Sequence, residues 1–382
     1  MIKAKRETMT KIICSKSELL RGVALIQSAI SPKVTLPILS NFLVEVKNNK
    51  IKLSATDLQI GVSCIIKGEI LSEGYLILPA KRVADIIREL PEKDIEIFSE
   101  QSEKETFNVY IKCGKTRFTL TEILLEDYPV LPEFKEEKSF AIGKEILKEI
   151  VKKTIFATSV DETRFMLNGL YFVSEEKNLK VVATDGRRLA YVNKKDVLSV
   201  SMAVKSIIPT KTINELIRIL ASEEEETVRL SMDENQIAFK IGQTVLVSRL
   251  IDAIFPNYEQ VIPKEIQIKI KLNTDELLSA TRRVAILSGE RTSQSVKYRF
   301  SENKLRIIAS FPGVGEAEDE LEVVYQGEPI EVVYNPNYVL DVLKNIEAKE
   351  IELQLSNPLS PGIVRPAEQE DYLCVLMPLR NN

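Results

Sequence analysis

Internal repetition constrains this chain more than any other feature. Ala55-Thr56-Asp57 recurs as Ala183-Thr184-Asp185, 128 residues on, and Ala309-Ser310 ends another β-branched run 126 residues later. A second marker keeps the same period. Leu78-Pro79, Ile208-Pro209 and Asn335-Pro336 each open an amphipathic segment, the three ending at Leu90, Leu220 and near Ile346. Proline suits the first turn of a helix, where its missing N–H leaves no bond unmade. Val83, Ile213 and Leu340 follow the prolines by four residues and Ile86, Leu216 and Leu343 by seven, the spacing of one helical face. A third marker lies upstream, where Ser17 to Ser31, Gly143 to Ser159 and Asn273 to Ser288 carry apolar residues at helical spacing. Three markers sharing one period predict a threefold repeat and a symmetric architecture.

Each repeat reads helix, strands, helix, strands, which is an α+β order. The strand signals are Ile51 to Ala55, Phe107 to Leu120, Leu179 to Thr184, Val228 to Ile241 and Leu305 to Ala309. Proline and charge cluster at Tyr128-Pro129-Val130-Leu131-Pro132 before Lys135 to Lys138, and at Phe255-Pro256-Asn257-Tyr258 before Pro263-Lys264-Glu265. The predicted domains are therefore 1–136, 137–264 and 265–382, with 1–8 a disordered extension ahead of Met9. With 382 residues each repeat is an ordinary domain in size.

Composition removes whole classes of function. The chain has no histidine, so Ser/His and Cys/His nucleophile pairs and His-containing metal sites are excluded. Cys14, Cys64, Cys113 and Cys374 are scattered without C-x-x-C spacing, which suggests buried free thiols in a reducing cytoplasm and neither zinc nor a redox pair. No run approaches the length of a membrane helix. Lys3, Lys5 and Arg6 precede an apolar stretch, but Glu18, Arg21 and Gln27 interrupt it, so the segment reads as mature cytosolic sequence rather than a leader. No cofactor is expected.

The formal net charge is −4, so overall basicity makes no case for nucleic acid. Its distribution does more: the six predicted helical segments sum to +5 and leave −9 for the remainder. Lys144, Lys148 and Lys152 recur at i, i+4 and i+8, predicting a lysine stripe on the side of that helix away from its apolar residues. Glu145 and Glu149 stand where they can pair with lysines three or four residues on, as on any solvated helix face. Repeats that turn their helices the same way would, if closed into a ring, line a hole with cations. Such side chains meet phosphates without reading bases, which permits sliding.

Several motifs in order resemble one family. Leu36-Pro37-Ile38-Leu39-Ser40-Asn41, Val182 to Ala190, Phe255-Pro256-Asn257-Tyr258, Tyr338 to Leu343 and Val375 to Arg380 are similar to those of the bacterial DNA polymerase III β subunit, the sliding clamp. The likeness runs from about Met9 to Arg380. It implies three similar clamp domains, helices on the inner face and antiparallel sheets outside, in a ring-shaped head-to-tail homodimer around double-stranded DNA. It further implies a non-catalytic processivity factor that a clamp loader opens, and that tethers the replicative DNA polymerase and other DNA-processing proteins through a peptide pocket.

The resemblance carries that pocket onto Leu167, Thr184, Gly186, Arg187, Arg188, Leu189, Pro256, Val261, Val375, Met377, Pro378, Leu379 and Arg380. Aliphatic and methionine side chains accept apolar anchors, and arginines orient polar groups. The chain departs from the family pattern at Arg187, at Gln260 and in the Asn381-Asn382 extension. DNA contacts carry onto Lys33, Arg164 and Lys211; the helical stripe adds Arg82, Lys148 and Lys152. At the dimer contact, Lys112, Lys115 and Arg117 are expected in one strand of the first repeat, opposite Glu316, Glu318 and Glu320 in one strand of the third. Ile286 and Leu287 match the family's apolar interface residues.

An enzyme is the rival class. Asp57 with Asp185, or Glu223 to Glu226, could be offered as a metal site. The third repeat, however, has Phe311 in place of the aspartate, and a run of glutamates is usually a solvated loop. Gly114-Lys115-Thr116 imitates a phosphate loop but has Val109 in place of its first glycine. A repeat scaffold that binds proteins without enclosing DNA is the second alternative.

Overall fold

The computed structural model describes residues 9–30, 36–101, 107–121, 128–201, 203–289 and 294–380. Lys33, Asn381, Asn382 and the expected extension 1–8 lie outside them.

The secondary structure repeats as the markers require. The first repeat runs β1 (Lys11–Ser15), α1 (Lys16–Ile26), β2 (Asn41–Lys47), β3 (Lys50–Thr56), β4 (Ile60–Ile66), β5 (Glu69–Ser72), β6 (Gly74–Pro79), α2 (Ala80–Glu89), β7 (Asp94–Gln101), β8 (Phe107–Cys113) and β9 (Thr116–Thr121). The second runs β10 (Ser139–Gly143), α3 (Lys144–Thr154), β11 (Gly169–Glu175), β12 (Asn178–Thr184), β13 (Arg188–Lys194), β14 (Val204–Pro209), α4 (Thr210–Ser222), β15 (Thr227–Met232), β16 (Gln236–Ile241) and β17 (Thr244–Arg249). The third runs β18 (Ile268–Asn273), α5 (Thr274–Val284), β19 (Val296–Ser301), β20 (Lys304–Phe311), β21 (Gly315–Glu322), β22 (Ile330–Tyr334), α6 (Pro336–Lys344), β23 (Glu350–Leu355), β24 (Gly362–Pro366) and β25 (Tyr372–Leu376). Among the described residues no helix is long and apolar enough to cross a membrane.

The chain packs into two compact units, one within 1–144 and 214–250, the other within 145–213 and 251–382. The first holds an eight-stranded antiparallel sheet in the order β10-β15-β16-β17-β4-β3-β2-β6 and a five-stranded sheet β5-β1-β7-β8-β9. The second holds an eight-stranded sheet β14-β11-β12-β13-β25-β24-β23-β18 and a four-stranded sheet β21-β20-β19-β22. Each eight-stranded sheet joins four strands of one repeat to four of the next, at β17–β4 and at β13–β25. The expected domain limits are thus not gaps in the sheets.

Local chemistry sets the helices. Ser15, Asn273 and Asn335 cap α1, α5 and α6 by accepting backbone N–H groups of the first turn. α1 buries Leu19, Val23 and Ile26, each worth about 1.5–3 kcal/mol when fully removed from water. Gly22 lets this helix lie close on its sheet, since an added Cβ would stand 2.5 Å from Ile66 Cγ2 and 2.8 Å from Leu53 Cδ1. Arg218 of α4 reaches the C-terminal end of α1, donating to the carbonyls of Ala24 at 2.8 Å and Leu25 at 2.5 Å. These carbonyls have no partner within the helix, so the guanidinium both satisfies and electrostatically complements them.

Four expectations are corrected. Pro79 and Pro209 close the strands before their helices, and only Pro336 sits in the first helical turn. A proline's fixed φ fits a strand end as well as a helix start. The runs Phe107 to Leu120 and Val228 to Ile241 are each two strands of a hairpin. Lys112, Lys115 and Arg117 therefore do not share a strand: Lys112 is in β8, Lys115 in the turn and Arg117 in β9, cross-strand partner of Lys112. Lys144 is not on an exposed stripe; it is 8% exposed and its Nζ donates to the carbonyl of Glu223 at 2.5 Å.

Candidate peptide-binding site

The turn between β12 and β13 is written by its own side chains. Thr184 Oγ1 donates to the Arg188 carbonyl at 2.7 Å and accepts from the Gly186 N–H at 3.0 Å. Asp185 Oδ1 accepts from the N–H groups of Arg187 and Arg188, both at 2.9 Å. Gly186 adopts φ +83°, which a side chain would strain, and an added Cβ would stand 2.9 Å from Arg164 Nη1. Thr184 and Asp185 are thereby accounted for as turn formers, and Asp57 plays the same part toward Gln59 and Ile60. Neither aspartate is displayed as a metal ligand. Glu223 likewise accepts from Thr244 Oγ1 at 2.7 Å and faces Arg21 at 3.6 Å.

Beside this turn Leu189 pairs with Val375 across β13 and β25, and Met377 continues the strand by donating its N–H to the Arg187 carbonyl at 2.9 Å. Leu379 donates its N–H to the Val333 carbonyl at 2.8 Å, fixing the tail, with Pro378 half-buried before it. Leu167, Val182, Leu189, Ile207, Phe255 and Val375 form one apolar floor. Gly186, Arg187, Pro256, Val261, Met377 and Arg380 are all exposed. Of the residues that the resemblance selected, Leu167, Leu189 and Val375 share that apolar floor.

The structure also adds some. Tyr171 stacks on Phe255 with centroids 4.6 Å apart, and Tyr258 packs on Tyr171 and Tyr191 at 6.3 and 5.9 Å. Burial, reinforced by Tyr191 and Glu259, pushes the Tyr258 phenol up to about 12. Period-two alternation from Thr184 and Leu189 points to Val182 and Tyr191; the Phe255 and Tyr258 contacts are long-range and leave no local signal.

Arg188 has another role than the sequence suggested. Its Nη1 lies 2.6 Å from Asp341 Oδ2, its Nε 3.1 Å from Asp185 Oδ2, and its Nη2 donates to the Phe156 carbonyl at 2.6 Å. The guanidinium also covers the Tyr338 ring at 4.8 Å. At 11% side-chain exposure it braces the turn against α6. Arg187 and Arg380 are the exposed cations of the rim.

Three of the residues assigned to DNA, Lys148, Lys152 and Arg164, are paired with carboxylates. Lys148 meets Glu145 at 2.7 Å and Lys152 meets Glu347 at 2.5 Å. Arg82 and Lys211 are exposed on α2 and α4. Arg164 lies against the pocket turn, bonded to Asp161 at 3.2 Å and to the Asp185 carbonyl at 2.9 Å.

At the sheet edges, β9 bears Arg117 outward and half-buried Phe118 and Leu120 on its other face. Lys112 and Arg117 sit over the rings of Phe98 and Tyr110, at 4.6 and 4.1 Å. β21 bears Glu316, Glu318 and Glu320 outward, with Glu320 met by Lys304 and Arg306 of β20. Ile286 is 81% exposed and Leu287 lies beside Gly315 at the start of β21.

Sheets that run from one repeat into the next are the architecture of a clamp-type protein. Three family models match: the N-terminal, central and C-terminal domains of the DNA polymerase III beta subunit, over residues 10–132, 141–257 and 259–380. The chain belongs to the DNA polymerase III beta subunit family. It is 32% identical over 370 residues to the beta sliding clamp of Chlamydia muridarum, covering 97% of this chain and 99% of that one. Among solved structures it superposes on the C. crescentus beta sliding clamp with a TM-score of 0.92 at 32% identity, covering 98% and 100% of the two chains. It superposes on the Pseudomonas aeruginosa sliding clamp bound to griselimycin with a TM-score of 0.89 at 30% identity, with the same coverage.

Proposed function

We infer that this chain is a sliding clamp of DNA replication, two copies closing head to tail around duplex DNA. It is non-catalytic, works in the cytoplasm, is opened by a clamp loader, and tethers the replicative polymerase and other DNA-processing proteins through the pocket. Its three domains are 1–136, 137–264 and 265–382.

One observation carries this reading. Two sheet junctions within the chain, β17–β4 and β25–β13, each complete an eight-stranded sheet. Two smaller sheets are left over, one with β5 and β9 as its edge strands and the other with β21 and β22. β9 occupies in the first repeat the place of β17 and β25, and β21 occupies in the third the place of β4 and β13. The same pairing therefore joins β9 of one copy to β21 of another and removes both exposed edges. Cations Lys112, Lys115 and Arg117 then face Glu316, Glu318 and Glu320, and Ile286 and Leu287 find cover against Phe118 and Leu120. A head-to-tail contact is heterologous, so it either closes or propagates, and closure with two copies gives six repeats in a ring.

Lys33, Arg82, Lys148, Lys152, Arg164 and Lys211 are assigned to the phosphate-facing side. The pairing of Lys148 with Glu145, Lys152 with Glu347 and Arg164 with Asp161 keeps the field weak, as a protein that slides requires. Retention on DNA tests the reading. Protein loaded on a circular duplex stays bound and is released when the circle is cut; equal retention before and after cutting would overturn it.

A further inference from the structure

The turn that frames the pocket has a twin in the first repeat. Thr56 Oγ1 donates to the Ile60 carbonyl at 2.7 Å and accepts from the Leu58 N–H at 3.0 Å. Asp57 Oδ1 accepts from the Gln59 and Ile60 N–H groups, both at 2.9 Å. Arg249 donates its N–H to the Gln59 carbonyl at 2.9 Å, as Met377 does to Arg187. Gly61 pairs with Val247 across β4 and β17, as Leu189 pairs with Val375 across β13 and β25.

Two differences give the twin its own character. Leu58 stands where Gly186 does and holds φ +74°, a conformation costly for a leucine, yet its side chain is 44% exposed rather than used in the core. Gly61 replaces Leu189, and Leu131 of the connector fills the space, its Cδ2 lying 2.2 Å from where a Gly61 Cβ would be. A cleft remains, lined by Leu58, Pro129, Val130 and Val247 with Gln236 and Arg249 at its rim. Val130 is 57% exposed, and the Arg249 side chain makes no ion pair among the described residues.

We propose that this cleft is a second peptide-binding site, taking a short extended segment that sets an aliphatic side chain between Leu58 and Val130 and a carboxylate on Arg249. The inference deepens the reading of the Leu189–Val375 pocket as a peptide site and rests on it. The turn is shared; the floor and the rim are not. Arg249 suits the second site to a segment that carries a carboxylate, and a partner with two peptide segments can engage both sites.

The test is methyl NMR of the full-length protein, labelled at leucine and valine, titrated with acetyl-Gly-Asp-Leu-Val-Leu-amide. The expected result is saturable movement of the Leu58 and Val130 methyls. In Arg249→Glu, whose other methyl resonances stay in place, affinity measured at Leu58 falls at least tenfold while any response at Val375 is unchanged. Unmoved Leu58 and Val130 methyls, or movement indifferent to Arg249→Glu, would overturn the proposal. Movement at Leu58 without movement at Leu189 and Val375 supports the second site by itself and shows that this probe does not enter the first.

Discussion

Arg188 and Asp341, 153 residues apart in sequence, meet at 2.6 Å and fasten the pocket turn to helix α6 of the third repeat. The arginine is nearly buried and also holds Asp185 and the Phe156 carbonyl, so its planar fork serves three elements at once. Arg188→Met keeps the volume but removes the side-chain donor to Asp341 Oδ2, Asp185 Oδ2 and the Phe156 carbonyl. Urea unfolding should show a loss of about 2–3 kcal/mol. Arg188→Lys should recover little of it, because one ammonium cannot span the three acceptors.

Gly186→Ala should be costly for two reasons. Its φ of +83° strains any side chain by roughly 1–2 kcal/mol, and the new methyl displaces Arg164 from the turn. Calorimetry should show a lower Tm, and peptide titration a weaker pocket.

Glu149 gives a pH signature. Burial alone would raise its carboxyl, but hydrogen bonds from Lys153 and Lys194, at 2.6 and 2.8 Å, outweigh it and hold the group below its ordinary value. A carboxyl depressed in the folded state stabilises above its unfolded pKa, and that contribution is lost as pH falls through the folded one. Wild type should therefore exceed Glu149→Gln in urea midpoint at pH 7, with the gap closing between about pH 5 and pH 3.

Ile286→Asp tests the apolar part of the interface. At 81% exposure the residue contributes little to the fold of its own chain. Thermal unfolding of the dilute monomer should be unchanged. Sedimentation equilibrium should show dimer affinity weakened by about ten- to a hundredfold, the range for an anchor side chain made charged.

The repeat was legible because proline, the Ala-Thr-Asp turn and helical spacing are local features, and each copy reports them independently. Thr184 to Leu189 was legible for the same reason, since a turn is determined by residues within four positions of one another. Lys144 was misread because i, i+4 spacing places a lysine on a helix side without saying that the Glu223 carbonyl waits there. Lys112 and Arg117 were placed in one strand although Gly114 and Lys115 between them form the turn of a hairpin. Arg188 was assigned to a ligand because its partners, Asp341 and the Phe156 carbonyl, are brought to it only by the fold.

Amide hydrogen exchange of strands β9 and β21 across a dilution series tests the central claim most directly. The account predicts that amides of Thr116–Thr121 and Gly315–Glu322 are protected together at high protein concentration and lose that protection together on dilution. Protection of one strand without the other, or fast exchange of both at every concentration, would contradict it.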